Sequence, residues 1–115
     1  MGEYRIKGGN RITGQISPGG AKNSVLPILA ATVLNGGKSV IYNAPGIADT
    51  FISLDILKAI GCKAEYENGT ITVDTSVVNS TTVPASLVKR MRSSIIFMGS
   101  ILGRFGEVNI SSPGG

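Results

Sequence analysis

A glycine-rich segment followed by a lysine and an asparagine is the first place in the chain where the residue types could do chemistry. Residues 19–23 read Gly-Gly-Ala-Lys-Asn and stand between a predicted strand and a predicted helix. At such a junction the backbone N–H groups, the helix dipole and the Lys22 ammonium can converge on an anion, with Asn23 beside them. The segment lacks the Gly-Lys-Ser/Thr ending of a P-loop. It predicts a phosphate or carboxylate site, although an ordinary capped helix start fits the same residues.

A second group of cations precedes the other strongly apolar helix. Lys89, Arg90 and Arg92 lie immediately before the apolar run of residues 93–102. Under the internal repeat described below, Arg92 takes the position that Asn23 has in the first repeat. These side chains could bind an anionic ligand, or they could form a solvated basic face ahead of a buried helix. Charge alone favours the solvated face.

The other reactive side chains indicate no catalytic centre. Cys62 is the single cysteine and the chain has no histidine, so an intrachain disulfide, a Cys/His pair and a zinc site are excluded. Beside Gly61 in a turn, Cys62 is interpreted as a small, half-buried filler. Ser86 and Lys89 have the spacing of a Ser/Lys nucleophile pair, but the companion motifs are absent. Asp49 is explained as a helix N-cap.

The predicted secondary-structure elements that position these residues are alternating strands and helices. The predicted elements, in order, are strands at 4–6 and 12–16, a helix over 24–34, a strand over 39–42, a helix over 49–60, a hairpin of 63–67 and 70–74, a helix over 86–103 and a strand over 107–110. Period-two alternation indicates the strands, and Asn68-Gly69 indicates the hairpin turn. Pro27 is tolerable in its helix only in the first turn. The order predicts an α/β fold.

The end of this order repeats its beginning. When residues 21–46 are aligned with residues 90–115, a predicted helix falls on a predicted helix and a predicted strand on a predicted strand. The glycines that end the helices also coincide. We predict one repeat over about 12–82 and a second that begins at 83 and is truncated at 115. A repeat that cannot bury its own apolar face needs neighbours, so the chain is expected to be a fragment.

The overall composition is that of an ordinary globular protein, with 42% hydrophobic and 16% charged residues. The net charge of +4 is mostly scattered and the chain has no Trp and few other aromatic residues, which argues against a nucleic-acid groove. The chain opens without an apolar signal segment, and its longest apolar run is far shorter than the roughly 20 residues of a membrane span. We therefore expect a cytoplasmic, metal-free protein with no nucleic-acid partner and no membrane partner.

The segment over residues 20–31 resembles the opening signature of the UDP-N-acetylglucosamine 1-carboxyvinyltransferases, which are also called UDP-N-acetylglucosamine enolpyruvyl transferases. The resemblance continues through residues 88–94, 103–106 and 113–115, so it covers essentially the whole chain. It implies that residues 1–115 are the amino-terminal part of an inside-out α/β barrel. Such a barrel is built from repeats in two domains, with the active site between them.

The resemblance also implies a reaction and its binding residues. The enolpyruvyl group of phosphoenolpyruvate passes to the 3-hydroxyl of UDP-N-acetylglucosamine with release of phosphate, which is the first committed step of peptidoglycan synthesis and hence of cell-wall biogenesis. No metal and no organic cofactor is implied. The resemblance assigns Lys22 and Asn23 to phosphoenolpyruvate and its reaction intermediate, and Arg92 to the UDP-sugar. At Ile96 some members of the family have an aromatic residue.

The catalytic cysteine of the family is expected directly after Gly115, so no catalytic residue is expected within this chain. Alone it is expected to be inactive and to need the remainder of its own chain. Two alternatives stay open. The related shikimate-pathway enolpyruvyl transferase typically has a serine after the lysine, where this chain has Asn23 after Lys22. A non-catalytic binding or assembly module would leave Lys22, Asn23 and Arg92 facing solvent.

Overall fold

Within residues 2–112, which the computed structural model describes, the chain forms helices and two small sheets joined by short turns. The elements are α1 (Lys22–Asn35), β1 (Lys38–Ile41), α2 (Ala48–Ala59), β2 (Lys63–Glu67), β3 (Thr70–Asp74), β4 (Thr82–Val83), α3 (Ala85–Arg90), a 3-10 helix (Arg92–Ile95), α4 (Ile96–Phe105) and β5 (Asn109–Ile110). The predicted α/β class is confirmed. In this part of the chain no helix combines the length and the apolar character needed to cross a membrane.

The larger sheet is antiparallel and has the strand order β1-β3-β2, while β4 and β5 form a separate parallel pair. Its hairpin is the predicted one. Asn68 and Gly69 have φ angles of 48° and 79°, the left-handed backbone that a tight two-residue turn requires. Along β3, Ile71 and Val73 are fully buried, whereas the alternate residues are partly exposed. One face of this sheet therefore covers the helices and the other faces solvent.

Helices α1 and α4 lie side by side and run in the same direction. At their C-terminal ends, Arg104 Nη1 of α4 donates a hydrogen bond of 3.0 Å to the Val33 carbonyl of α1. At their N-terminal ends, Asn23 and Ser93 line one cleft. Fully buried residues from both helices join the core that α2 and the sheet complete. The N-termini of α1 and α4 therefore open on the same side of the molecule.

The single helix predicted over residues 86–103 is wrong, because the structure breaks it at Met91. This residue is extended, with φ −141° and ψ 109°, between α3 and the 3-10 helix that leads into α4. Met91 is buried, and its sulfur contacts Ser53 Oγ on α2 at 3.6 Å. The long-range contact with α2 thus outweighs the local helical preference.

The two strands predicted before α1 are also wrong. Residues 2–20 contain neither helix nor strand. Tyr4, Ile6, Ile12 and Ile16 are at least 90% exposed. The alternating pattern is present, but a strand needs a hydrogen-bonding neighbour and a surface on which to bury its apolar side chains. None of the described strands pairs with this segment.

The starts of α1 and α2 differ from the prediction. Because α1 begins earlier than expected, Pro27 lies in its second turn, and the missing proline N–H leaves the Asn23 carbonyl without its intrahelical partner. In α2 the N-cap is Ile47, and no side chain caps the helix. Asp49 instead lies in the first turn of α2, where its carboxylate is free to contact another element.

Candidate functional site

Lys22 and Asn23 are the first two residues of α1. The residue before them, Ala21, is extended, and its carbonyl accepts hydrogen bonds from the N–H groups of Ser24 and Val25 at 3.2 and 3.0 Å. The N–H groups of Lys22 and Asn23 precede these bonds, and helix geometry supplies them with no intrahelical acceptor. This end of α1 therefore offers backbone donors and the positive end of the helix dipole beside an ammonium and an amide.

The glycine turn before α1 is explained by a close approach of two loops. A Cβ atom on Gly20 would lie 1.9 Å from the carbonyl oxygen of Asn43, in the loop that follows β1. Asn43 itself has a positive φ of 55°. Any side chain at position 20 would therefore force the entry to α1 away from this loop. The segment leads from a loop into the helix, and the strand predicted before it is absent.

The Lys22 ammonium forms an ion pair with a residue of α2. The distance between Lys22 Nζ and Asp49 Oδ2 is 3.3 Å, and the side chains are 52% and 26% exposed. The pair joins the first turns of α1 and α2, so a third helix N-terminus lies at this end of the molecule. Sequence reasoning assigned Asp49 to capping and missed this contact, because no local pattern connects the two residues.

Arg92 is the first residue of the 3-10 helix and is exposed. Its position follows from the neighbouring Met91, which is buried against α2. The cluster of cations is divided at this point. Arg90 forms an ion pair with Asp55 of α2, with 3.6 Å between Nη1 and Oδ2, whereas Arg92 has no acidic partner within residues 2–112. Lys89 is likewise exposed and has no acidic partner among these residues, but Arg92 is the unpaired cation that stands at the start of the 3-10 helix.

A shallow cleft connects the starts of α1 and α4. It has a volume of about 250 Å³ and is lined by Asn23, Leu26, Pro27, Ser93 and Ile96. Asn23 therefore lies across the cleft from the residue that follows Arg92. The structure brings the three predicted binding residues to the same end of two parallel helices. Ile96, where the resemblance gives some members of the family an aromatic residue, lines the same cleft with an aliphatic side chain.

Two buried hydroxyl groups belong to the same helix starts. Thr50 Oγ1, in the first turn of α2, and Ser94 Oγ, in the 3-10 helix, have no hydrogen-bond partner among the described residues. Both side chains are fully buried. A buried hydroxyl without a partner costs free energy, so the two groups are unused hydrogen-bonding capacity at the starts of α2 and of the 3-10 helix.

Cys62 is unsuited to nucleophilic catalysis. The residue is buried, with 6% of its surface exposed. Burial raises the pKa of the thiol to about 11, and the neighbouring Arg104 offsets this only in part. Because the thiolate is the reactive form, the side chain is inert near neutral pH. Its interpretation as a small filler agrees with this environment, and the residue is buried more completely than the sequence predicted.

Neither a metal site nor a catalytic cysteine is located in the described part of the chain. Residues 2–112 contain no group of three or more Cys, Asp or Glu side chains that could hold a metal ion. The Pro-Gly-Gly sequence at residues 113–115, after which the resemblance expects the catalytic cysteine, lies outside the described residues.

The sequence profile of the family described as EPSP synthase (3-phosphoshikimate 1-carboxyvinyltransferase) matches residues 6–115. Among individual proteins, the chain is 46% identical to UDP-N-acetylglucosamine 1-carboxyvinyltransferase 2 of Caldanaerobacter subterraneus subsp. tengcongensis. That alignment covers 100% of this chain and 28% of the relative. The chain is also 44% identical to UDP-N-acetylglucosamine 1-carboxyvinyltransferase of Methylacidiphilum infernorum, in an alignment that covers 100% of this chain and 27% of that relative.

A solved structure shows the same likeness. The enolpyruvyl transferase NikO from Streptomyces tendae superimposes with a TM-score of 0.76 and 33% sequence identity, covering 86% of this chain and 23% of that protein. The chain spans about 28% of the length of the curated relatives that it matches.

Proposed function

Because the chain belongs to the EPSP synthase (3-phosphoshikimate 1-carboxyvinyltransferase) family, we propose an enolpyruvyl transfer for the whole protein that contains it. In this proposal the enolpyruvyl group of phosphoenolpyruvate passes to the 3-hydroxyl of UDP-N-acetylglucosamine, and phosphate is released. The names of the similar proteins support this choice of acceptor. The reaction belongs to peptidoglycan synthesis, takes place in the cytoplasm and uses no metal or organic cofactor.

The observation that carries the proposal is the common location of Lys22, Asn23 and Arg92 at the N-terminal ends of parallel helices. Both substrates are anions, and each can be neutralised there by a cation and by helix N–H groups. Lys22 and Asn23 hold phosphoenolpyruvate and the tetrahedral adduct that forms from it. The Arg92 guanidinium, which is always charged and can donate two parallel hydrogen bonds, binds the UDP-sugar.

Other parts of the whole protein supply the proton transfer. The chain has no histidine, and its one cysteine is a buried thiol with a raised pKa, so a general acid near neutral pH has to come from elsewhere. A cysteine after residue 115 has this role in the proposal. The internal repeat over 12–82, with its continuation from 83, stays a prediction. It would place Asn23 and Arg92 at equivalent positions in two successive repeats.

The acceptor is tested by phosphate release from phosphoenolpyruvate with the purified whole protein. We expect release with UDP-N-acetylglucosamine and only the enzyme-free rate with 3-phosphoshikimate. The opposite preference would overturn the acceptor and favour the shikimate-pathway relative. Release with neither acceptor would overturn the reaction and leave a non-catalytic binding module. Residues 1–115 assayed alone are expected to give the enzyme-free rate.

A further inference from the structure

The two side chains of the Lys22–Asp49 ion pair differ in length and in exposure. The ammonium is the tip of a long, flexible side chain that is 52% exposed, whereas the carboxylate is on a short side chain that is 26% exposed. Asp49 therefore has the fewer positions available to it. In an ion pair of this kind the more confined partner sets the location of the more mobile one, because the lysine loses the greater rotamer freedom when the contact forms.

The backbone beneath the carboxylate is itself held in place. The carbonyl of Asp49 accepts a hydrogen bond of 2.8 Å from Ser53 Oγ. The same hydroxyl contacts the sulfur of Met91 at 3.6 Å, and Met91 is followed directly by Arg92. Ser53 and Met91 are buried. A short chain of contacts thus connects the residue that pairs with Lys22 to the residue that precedes Arg92.

We propose that Asp49 is a positioning residue, which holds the Lys22 ammonium at the entrance to the anion site. The inference rests on the proposed function, since it assumes that Lys22 acts on the anionic donor. The first turn of α2 suits this role, because the positive end of the helix dipole stabilises a carboxylate there. Nothing in the arrangement requires Asp49 to contact either substrate.

The positioning role proposed for Asp49 has an electrostatic cost, and this cost gives the role a distinct kinetic signature. A carboxylate 3.3 Å from the ammonium lowers the positive potential that attracts an anionic donor. Neutralising Asp49 should therefore leave donor attraction unchanged or stronger, while the ammonium loses its fixed position for the transition state. The expected signature is a fall in kcat without a rise in the KM of phosphoenolpyruvate. Damage to the fold alone would not produce this division.

The same helix offers a matched control. Asp55 also lies on α2 and pairs with a cation, with 3.6 Å between its Oδ2 and Arg90 Nη1. Asp55→Asn makes the same change in charge on the same helix, but its partner is not assigned to a substrate. We expect this variant to keep the unmodified kinetic constants.

The test measures steady-state kinetics of the whole protein with Asp49→Asn, Asp49→Glu, Lys22→Ala and the double variant Lys22→Ala/Asp49→Asn. Asp49→Asn should lower kcat about tenfold, which corresponds to about 1.4 kcal/mol. Asp49→Glu, which retains the carboxylate, should keep more of the turnover. In the Lys22→Ala background the Asp49→Asn change should have no further effect, since the group it positions is already gone.

The possible failures are distinguishable. If Asp49→Asn behaves like Asp55→Asn while Lys22→Ala is inactive, the positioning role is wrong and the proposed function stands. If the effects of the two single substitutions multiply in the double variant, Asp49 acts independently of Lys22 and the inference is likewise overturned. If Lys22→Ala retains full turnover, the role of Lys22 in the proposed function fails first. A fall in kcat with a matching rise in both KM values would also contradict positioning.

Discussion

The guanidinium of Arg104 donates a hydrogen bond of 3.0 Å to the carbonyl oxygen of Val33. This carbonyl belongs to the last turn of α1, where helix geometry supplies no N–H partner. The same Nη1 atom donates a second bond of 2.7 Å to the Thr75 carbonyl, just after β3. Arg104 therefore connects α4, α1 and the end of the central strand at the opposite end from the candidate site, and it supports the parallel arrangement of the two helices.

Arg104→Ala should lower the free energy of unfolding by about 2–3 kcal/mol, because the Val33 and Thr75 carbonyls lose a charged donor in a partly buried location. Urea denaturation of the protein measures the change. Arg92→Ala is the control, since Arg92 is exposed and its substitution should leave the midpoint unaltered. Equal midpoints for the two variants would show that the Arg104 contacts contribute nothing to stability.

Arg92→Ala should weaken binding of the UDP-sugar to the whole protein by about tenfold or more, because a charged hydrogen bond to the nucleotide is removed. Titration calorimetry gives the dissociation constant. Lys89→Ala, which removes another exposed cation three residues away, should change it far less. A dissociation constant that Arg92→Ala leaves unaltered would exclude Arg92 from the site.

Lys22→Ala should lower turnover strongly and leave UDP-sugar binding largely intact, because the ammonium acts on the anionic donor and on its adduct. The comparison requires kcat from steady-state kinetics and the UDP-sugar dissociation constant from calorimetry. Turnover that survives with only a raised KM for the sugar would assign Lys22 to the other substrate.

The Cys62 thiol should react slowly with a disulfide reagent at pH 7.5 in the native protein and rapidly in urea, since burial raises its pKa from 9.0 to about 11. The raised pKa also predicts a pH dependence. Below pH 9 the thiol is neutral in both the folded and the unfolded state. As the pH rises from 9 toward 11 the thiol of the unfolded state ionises first, so the free energy of unfolding falls. Cys62→Ala should lack that part of the decline in stability. Rapid labelling of the native protein at neutral pH would contradict this account.

Several features followed from the sequence because their causes are local. The Asn68-Gly69 turn requires only two residues that tolerate positive φ, and the alternation on either side of it sets the strands. The helical region around residues 24–34 was likewise predicted, with an error at its start. The family and the candidate residues Lys22, Asn23 and Arg92 were also inferred from short motifs. Their assignment to particular substrates stays a prediction.

Other features depended on contacts between residues far apart in the chain, and only the tertiary structure decided them. The break at Met91 arises from its burial against Ser53, and the ion pair between Lys22 and Asp49 arises from the way α1 meets α2. The alternation over residues 4–16 predicted strands that the structure lacks. A sequence pattern shows which side chains a segment can bury and whether it can pair as a strand. Only the packed fold determines whether a partner strand or a core surface lies next to that segment.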